Sequence, residues 1–361
     1  MPQTRWNNTS ASQHRAVMTT VPNARVGNWL IFFSFVVAFL IVFGGFVRLT
    51  RAGLSITEWN PVSGTIPPLS ESAWQEEFAK YQQTPEFKQI NFNMTLGEYQ
   101  YIFWIEWIHR FLARLAGLVY AIPVFYFLFK KAIPWKEFGI YFLMGMLFIS
   151  QAFAGWIMVA SGLVDRPAVS HFNLTIHLLL ALALFGLSLW AALGHKYGFS
   201  MRAKWSTSSK LALTSFVLLL IQIIYGGFTA GLKAGHLSDT WPLMFGEWIP
   251  PDLFGSFIAI FKSPQTIIFI HRWFAFVVLI AIVAFYISAR KGDEIQNGLN
   301  WLLGLVVFQI VLGILTVVLH VQIIIALAHQ AGALGLFALL IYFIHRLRAS
   351  DKQATNLKSL K

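Results

Sequence analysis

Eight long apolar stretches dominate this chain. The hydrocarbon core of a membrane is about 30 Å thick and requires roughly 20 apolar residues in helical conformation. Stretches of that length cover residues 29–47, 101–129, 138–160, 169–193, 211–232, 266–289, 299–321 and 323–344. They are continuously apolar, whereas the strands of a membrane barrel alternate. Only 12% of the residues are charged, about half the fraction in soluble domains. The sequence therefore predicts an all-α membrane protein with eight transmembrane helices.

Basic residues are concentrated in the two tails and the short connections, which places them on one side of the membrane. Examples are Lys130, Lys131, Lys136, Lys196, Arg202, Lys204, Arg346 and Arg348. We interpret the net charge of +12 as a positive-inside bias with attraction to anionic lipid, and not as nucleic-acid binding. Both termini are then expected in the cytoplasm. Two long loops, 49–100 and 233–265, are expected on the outer side.

The first long loop contains a predicted amphipathic helix. Ser70 can cap it, and Trp74, Phe78 and Tyr81 fall on one face, a pattern typical of a helix on the membrane surface. Thr95 and Glu98 predict a capping box at the entry to the second membrane helix.

The second half of the chain repeats the first. Gly44-Gly45-Phe46 matches Gly226-Gly227-Phe228, Ile108-His109-Arg110 matches Ile270-His271-Arg272, Gln151 and Gly155 match Gln309 and Gly313, and His177 matches His329. Four helices per half give both halves the same orientation, so we predict two four-helix bundles related by a pseudo-twofold axis along the membrane normal. The predicted parts are a cytoplasmic tail (1–28), an N-terminal bundle with its long loop (29–193, loop 49–100), a basic cytoplasmic linker (194–210), a C-terminal bundle (211–344) and a second cytoplasmic tail (345–361).

Four histidines are the candidate metal ligands. The chain has no Cys, which excludes disulfides, iron-sulfur clusters and Cys-based zinc sites. His109, His177, His271 and His329 all lie roughly 8 to 12 Å below the predicted outer surface. A single histidine in a span is usually a hydrogen-bonded packing residue. Two matched pairs at one depth instead favour haem held between helices, one haem per half, over copper or zinc, for which matched further ligands are missing.

Charged residues beside these histidines are further candidates. Arg110 and Arg272 follow the two matched histidines, and Arg48 ends the first helix. An arginine in a span needs a partner, which haem propionates can supply. Contact with backbone carbonyls or extension toward the surface is the alternative explanation.

Glu106 breaks the symmetry between the halves. It precedes His109 by three residues, and the matched position holds Ile268. An acid inside a span is a functional candidate that can exchange a proton or stabilise positive charge. The alternative is a helix-start Glu directed outward. We therefore expect the first half to contain the reactive site and the second half to handle electrons.

Together these motifs resemble the haem A synthase family. The resemblance covers residues 28–346, and its most specific parts are the run from Gly44 to Thr50 with Gly53-Leu54-Ser55, Glu106-Trp107-Ile108-His109-Arg110, His177, His271-Arg272 and Ala328-His329-Gln330. It implies that His109 and His177 flank the substrate haem, that Glu106 is essential nearby, and that His271 and His329 ligate haem b. Some members carry a cysteine pair in the first outer loop, which this chain lacks. His171 competes with His177, although only His177 has a match.

The resemblance also implies the reaction and its setting. A methyl group of haem O is oxidised to the formyl group of haem A, with haem b as cofactor and the tail of haem O leaving the bundle sideways into lipid. Partners would be membrane lipid, haem O synthase and cytochrome oxidase assembly factors, and homo-oligomerisation stays open. We favour a bacterial cytoplasmic membrane over the mitochondrial inner membrane. A di-haem b cytochrome that carries electrons, such as a quinol oxidoreductase subunit, is the main alternative function, and a transporter is a third.

Overall fold

The structure is a computed structural model that describes residues 22–60, 63–164, 167–198, 205–290 and 296–358. Three of the sequence predictions therefore lie outside the described residues. They concern most of the N-terminal tail, the basic residues Arg202 and Lys204 of the predicted linker, and the end of the C-terminal tail.

The described residues form eleven α-helices and no named strand. The helices are α1 (Ala24–Leu49), α2 (Glu71–Gln82), α3 (Pro85–Gln89), α4 (Leu96–Phe129), α5 (Phe138–Ala160), α6 (His171–Tyr197), α7 (Thr207–Gly231), α8 (Ala259–Lys262), α9 (Pro264–Ala289), α10 (Gln296–Val318) and α11 (Ile323–Lys358). Short 3-10 turns occur at Ser63–Thr65, Trp135–Glu137 and Ala234–His236.

Eight of these helices are long and apolar enough to cross a membrane, which confirms the predicted all-α, eight-span class. They are α1, α4, α5, α6, α7, α9, α10 and α11. Several extend beyond the predicted spans. α11 continues to Lys358 and α6 to Tyr197, so parts of the predicted tail and linker are helical. The reason is that hydropathy reports where the membrane ends, whereas a helix continues until its backbone hydrogen bonds are interrupted.

Local sequence explains where the membrane helices begin and end. Asn23 caps α1, because its side chain accepts hydrogen bonds from the backbone N–H groups of Arg25 and Val26. The predicted capping box at α4 is confirmed, with Glu98 Oε2 accepting from Thr95 N at 2.8 Å. Two repeat-matched residues, Arg51 and Lys233, follow the ends of α1 and α7 with φ angles of 58° and 53°. Left-handed residues of this kind terminate helices.

The two halves pack with corresponding neighbours. In the first half α1 contacts α4 and α6, and α5 contacts α6; in the second half α7 contacts α9 and α11, and α10 contacts α11. Between the halves α6 packs on α11, α6 on α7, and α1 on α11. These neighbours agree with the predicted repeat. The pseudo-twofold axis and the division into two bundles stay predictions.

Paired glycines bring the halves close together. Gly45 of α1 lies against the side chain of Gln330 on α11, whose amide donates to the Ile41 carbonyl at 2.8 Å. The matched Gly227 of α7 lies against Thr175 of α6. A Cβ at Gly227 would be 2.6 Å from Thr175 Oγ1, so only glycine allows this approach.

Helix α2 is capped by Ser70 as predicted, but the expected contact of its apolar face is wrong. Ser70 Oγ accepts from Ala73 N at 3.2 Å. Trp74 packs edge-on against Phe103 at 4.9 Å between ring centroids, and Phe78 lies 5.1 Å from Tyr99. Both partners belong to α4, so the apolar face covers the start of a membrane helix instead of lying on lipid.

We expect Gly227→Ala to destabilise the packing of the two halves. The Thr175 side chain cannot easily move, because its hydroxyl donates to the His171 carbonyl at 2.8 Å. Overpacking of this kind costs about 1–3 kcal/mol. Thermal unfolding in detergent measures the effect. Gly304→Ala is the matched control, since nothing lies within 4 Å of a Cβ there. Equal behaviour of the two variants would contradict the proposed close contact.

Candidate functional site

Each of the four candidate histidines packs against a glycine of a neighbouring helix. A Cβ on that glycine would come within 2.9 to 3.4 Å of the imidazole Cε1. The pairs are His109 with Gly44, His177 with Gly155, His271 with Gly226, and His329 with Gly313. The glycines are themselves repeat-matched, Gly44 with Gly226 and Gly155 with Gly313. Both halves therefore orient their histidines with the same device.

In the second half the two imidazoles come together. The ring centroids of His271 and His329 are 6.3 Å apart and the rings are nearly perpendicular. Nδ1–H of His329 donates to the Gln309 carbonyl at 3.2 Å, and the Gln309 amide donates back to the His329 carbonyl at 2.8 Å. This arrangement leaves Nε2 of His329 with a free lone pair, the state that a metal-ligating imidazole requires.

His271 is held by a residue that the sequence analysis did not single out. The Gln222 side-chain amide donates to the His271 carbonyl at 2.8 Å and lies 3.1 Å from Nδ1 of the same residue. The position in the first half that matches Gln222 holds Leu40 when Gly44 is aligned with Gly226. His109 consequently has no amide side chain at the matching position of α1.

In the first half the imidazoles keep unused polar atoms. Nδ1 of both His109 and His177 is buried without a hydrogen-bond partner, and the Gln151 amide lies 3.3 Å from Nε2 of His177. The Phe43 ring lies 5.8 Å from the His109 ring. A pair of neutral imidazoles in an apolar bundle fits the axial ligands of a haem iron.

His171 takes a different position from His177. It is the first residue of α6, and its Nε2 lies 3.0 Å from the Phe261 carbonyl. The contacts with Gly155 and Gln151 belong to His177 alone. The structure thus supports His177 over His171 as the candidate ligand of this helix.

Glu106 is buried, with 3% of its side chain exposed, and both of its oxygens are fully engaged. Oε2 accepts from Ser55 Oγ at 2.7 Å and from Ile56 N at 2.9 Å. Oε1 accepts from the Arg110 guanidinium at 2.6 and 3.0 Å. Four donors, two of them from the single Arg110 guanidinium, fix the positions of both carboxyl oxygens. The acid is therefore not directed outward from the helix start.

Arg110 and Arg272 contact loop carbonyls, which was the alternative considered for them. Arg110 donates to the carbonyls of Ile56 and Glu58 at 3.0 and 3.3 Å as well as to Glu106. Arg272 donates to the carbonyls of Ser238 and Thr240 at 2.7 and 3.1 Å. Ser238 and Thr240 occupy the positions that match Ile56 and Glu58, so the repeat extends into both loops. Arg48 lies in the last turn of α1.

The second half keeps the arginine but lacks both the acid and the serine that binds it. Ile268 replaces Glu106, and Leu237 stands where the repeat places Ser55. Ser55 belongs to one of the sequence motifs. Its role could not be inferred from the sequence, because only the fold brings residue 55 next to residue 106.

The first long loop supports Ser55 through an aromatic cluster. Tyr99 OH donates to the Ser55 carbonyl at 3.3 Å, and Tyr81 stacks on Tyr99 with ring centroids 5.1 Å apart. Tyr81 OH in turn donates to Glu86 at 3.4 Å. Glu86 is only 4% exposed, and burial raises the pKa of its carboxyl to about 7.

This raised pKa predicts a pH-dependent loop. The folded loop binds a proton on Glu86 that the unfolded loop releases above about 4.5, so this stabilisation is complete below that pH and is lost as the pH rises through about 7. The side chain of Glu86→Gln cannot ionise, so this variant should keep the loop folded at pH 8. Hydrogen exchange of residues 71–89 between pH 5 and 8, corrected for intrinsic rates, measures this. The exposed Glu71→Gln is the control, and an unchanged pH profile in Glu86→Gln would contradict the prediction.

The fold and its histidines define a polytopic membrane protein with two matched imidazole pairs and a buried acid beside only one of them. The family described as COX15-CtaA, cytochrome oxidase assembly protein, matches residues 27–341, and the chain belongs to this family. A protein named Heme A synthase from Wolbachia pipientis wMel is 42% identical over 342 residues, which cover 92% of this chain and 94% of the relative. Proteins of the same name from Nitrosospira multiformis and Parvibaculum lavamentivorans are 41% and 40% identical, covering 89% and 88% of this chain and 92% and 93% of the relatives.

Proposed function

We propose that this protein is a haem A synthase, which oxidises a methyl group of haem O to the formyl group of haem A. Family membership and relatives of that name over most of the chain support this function. The observation that carries it within the structure is the asymmetry between the halves. Both present glycine-packed imidazoles, yet only the first buries an acid beside its histidine. A cytochrome that only carries electrons has no chemical task for a buried acid such as Glu106 beside its histidine.

The two halves then have different tasks. We assign His109 and His177 to the substrate haem and His271 and His329 to haem b. A haem held by His271 and His329 would supply one-electron transfer, and these imidazoles would help set its potential. The protein's own contribution is to fix the rings: Gly226 and Gly313 set their position, and Gln222 and Gln309 hold the backbone behind them.

We assign Glu106 to stabilising positive charge beside the reacting carbon. Proton transfer would require one of its oxygens to give up a hydrogen bond, since Ser55, Ile56 and Arg110 occupy both. A preorganised carboxylate instead acts without rearrangement when charge develops. Arg110 ties the acid to the loop. Contact with a propionate stays a prediction for Arg48, Arg110 and Arg272, and Nε of Arg272 is buried without a hydrogen-bond partner.

The remaining assignments follow from this function. Haem O is the substrate and haem A the product, and the surroundings are membrane lipid. We propose the bacterial cytoplasmic membrane, with both termini in the cytoplasm. Haem O synthase and cytochrome oxidase assembly factors are the proposed protein partners.

Replacing the histidines one at a time tests the assignment of the two haems. We expect His271→Ala and His329→Ala to lose bound haem b. His109→Ala and His177→Ala should keep haem b and fail to bind haem O or form haem A. Absorption spectra and haem extraction from purified protein distinguish these results. Equal loss of haem b in all four variants would contradict the division of tasks.

Glu106→Gln tests the acid. It keeps an acceptor for Ser55 and Ile56 but removes the charge, so we expect conversion of haem O to fall about 100-fold or more with haem b content unchanged. Glu98→Gln, on the same helix, is the control, because Gln still serves a capping box. Conversion at the control rate in Glu106→Gln would contradict the role assigned to Glu106, whereas wild type that forms no haem A would favour the electron carrier.

A further inference from the structure

An apolar groove of about 220 Å³ runs along the surface between α1 and α4. Every side chain that lines it is apolar. The lining residues include Val36, Leu40, Leu112, Leu115, Ala116 and Val119. Ala116 forms its floor and is 1% exposed, whereas Leu115 at the rim is 39% exposed. The groove therefore faces the lipid side of the first half.

The groove begins at the candidate substrate site. Leu112 lies one turn beyond His109 on α4, and Leu40 lies one turn before Gly44, the glycine that contacts His109. Its other end is closed by Trp29, whose indole N–H donates to the Val119 carbonyl at 2.9 Å. From His109 to Val119 the helix rises about 15 Å. The groove is thus an apolar channel with one end about one helical turn from His109.

The corresponding seam of the second half has different side chains. Gln222 stands at the position of Leu40 and is hydrogen-bonded to His271. Val278 stands at the position of Ala116 and is 3% exposed, so a larger side chain occupies the equivalent of the floor. All nine lining positions of the groove differ in the second half, and we single out these two because Gln222 adds a polar amide and Val278 adds bulk at the buried floor.

We propose that this groove binds the hydroxyethylfarnesyl tail of haem O, and that Leu40 and Ala116 make the first half select haem O over haem b, which lacks the tail. This inference rests on the proposed function. Gln222 and Val278 exclude the same tail from the second half and so reserve that site for haem b. Two pairs of matched positions then account for the specificity of both sites.

Shape, and not the removal of apolar surface from water, provides the selectivity. Lipid chains are as apolar as the tail, so transfer from lipid into the groove gains little by itself. The tail nevertheless has an advantage over a free lipid chain, because the porphyrin held at His109 raises its effective concentration at the groove. In the second half, bulk at Val278 and the polar amide of Gln222 leave no such space.

Binding measurements test the floor of the groove. Full-length protein carrying haem b in its second half is titrated with haem O and with haem b. Wild type should prefer haem O, and Ala116→Phe should weaken haem O binding at least ten-fold with haem b binding in the first half within two-fold of wild type. Leu118→Phe, a lipid-exposed neighbour outside the groove, should match wild type. Equal weakening for both haems, or no preference in wild type, would overturn the proposal.

A photo-crosslinking experiment tests the groove without a substitution at its floor, Ala116. Replacement of Leu115 by benzoylphenylalanine should give a protein adduct with haem O but not with haem b, and the same replacement at Leu118 should give neither. Adducts with phospholipid alone, unchanged by haem O, would mean that the groove holds lipid and would overturn the proposal. If Ala116→Phe loses the haem b spectrum and is misfolded, Ala116→Val, which copies the second half, takes its place.

These readouts separate the groove from the function. Wild type that forms no haem A from haem O, with reductant and oxygen supplied, would refute the proposed function. Wild type that forms haem A, while Ala116→Phe keeps the normal preference and Leu115 gives no haem O adduct, would refute only the groove.

Discussion

The close approach of an imidazole to a glycine is the constraint on which this structure depends. An apolar span offers few hydrogen bonds to orient a histidine ring, so the ring must be held by shape. Gly44 and Gly226 let α1 and α7 approach the histidines of α4 and α9, and a side chain at either position would displace the ring. Their neighbours Gly45 and Gly227 use the same property toward the opposite half. Each glycine pair thus positions a ring in its own half and a helix of the other.

The two halves differ where their contacts leave the shared pattern. The matched arginines both bind two carbonyls of their own long loop, a contact that ties a membrane helix to the polypeptide above it. Only the first half adds a carboxylate to this contact, and a serine from the loop to hold it. Next to the imidazole it is the second half that has the additional polar group, because Gln222 stands where the first half has Leu40. A duplicated scaffold can therefore hold two similar rings and still treat them differently.

Much of the site could be read from residue spacing. The four histidines, Glu106 and its missing counterpart Ile268 were apparent, since helical periodicity and the repeat relate residues within a helix and between halves. The contacts of Glu106 were not apparent. Ser55 lies 51 positions away in a loop, and no periodicity predicts that its hydroxyl reaches an acid in α4. The roles of Gln222 and Ala116 were equally hidden, because each depends on which helix lies opposite.

The sequence by itself determined the class of fold: eight apolar stretches of sufficient length form helices in a membrane, because every backbone polar group there must be bonded within its own helix. It also determined the repeat and the depth of the histidines, which are properties of position along a helix. The tertiary structure decided what each side chain meets. It paired Arg110 with Glu106, placed the α2 helix on α4, and opened a seam beside His109, because such contacts depend on the packing of helices distant in the chain.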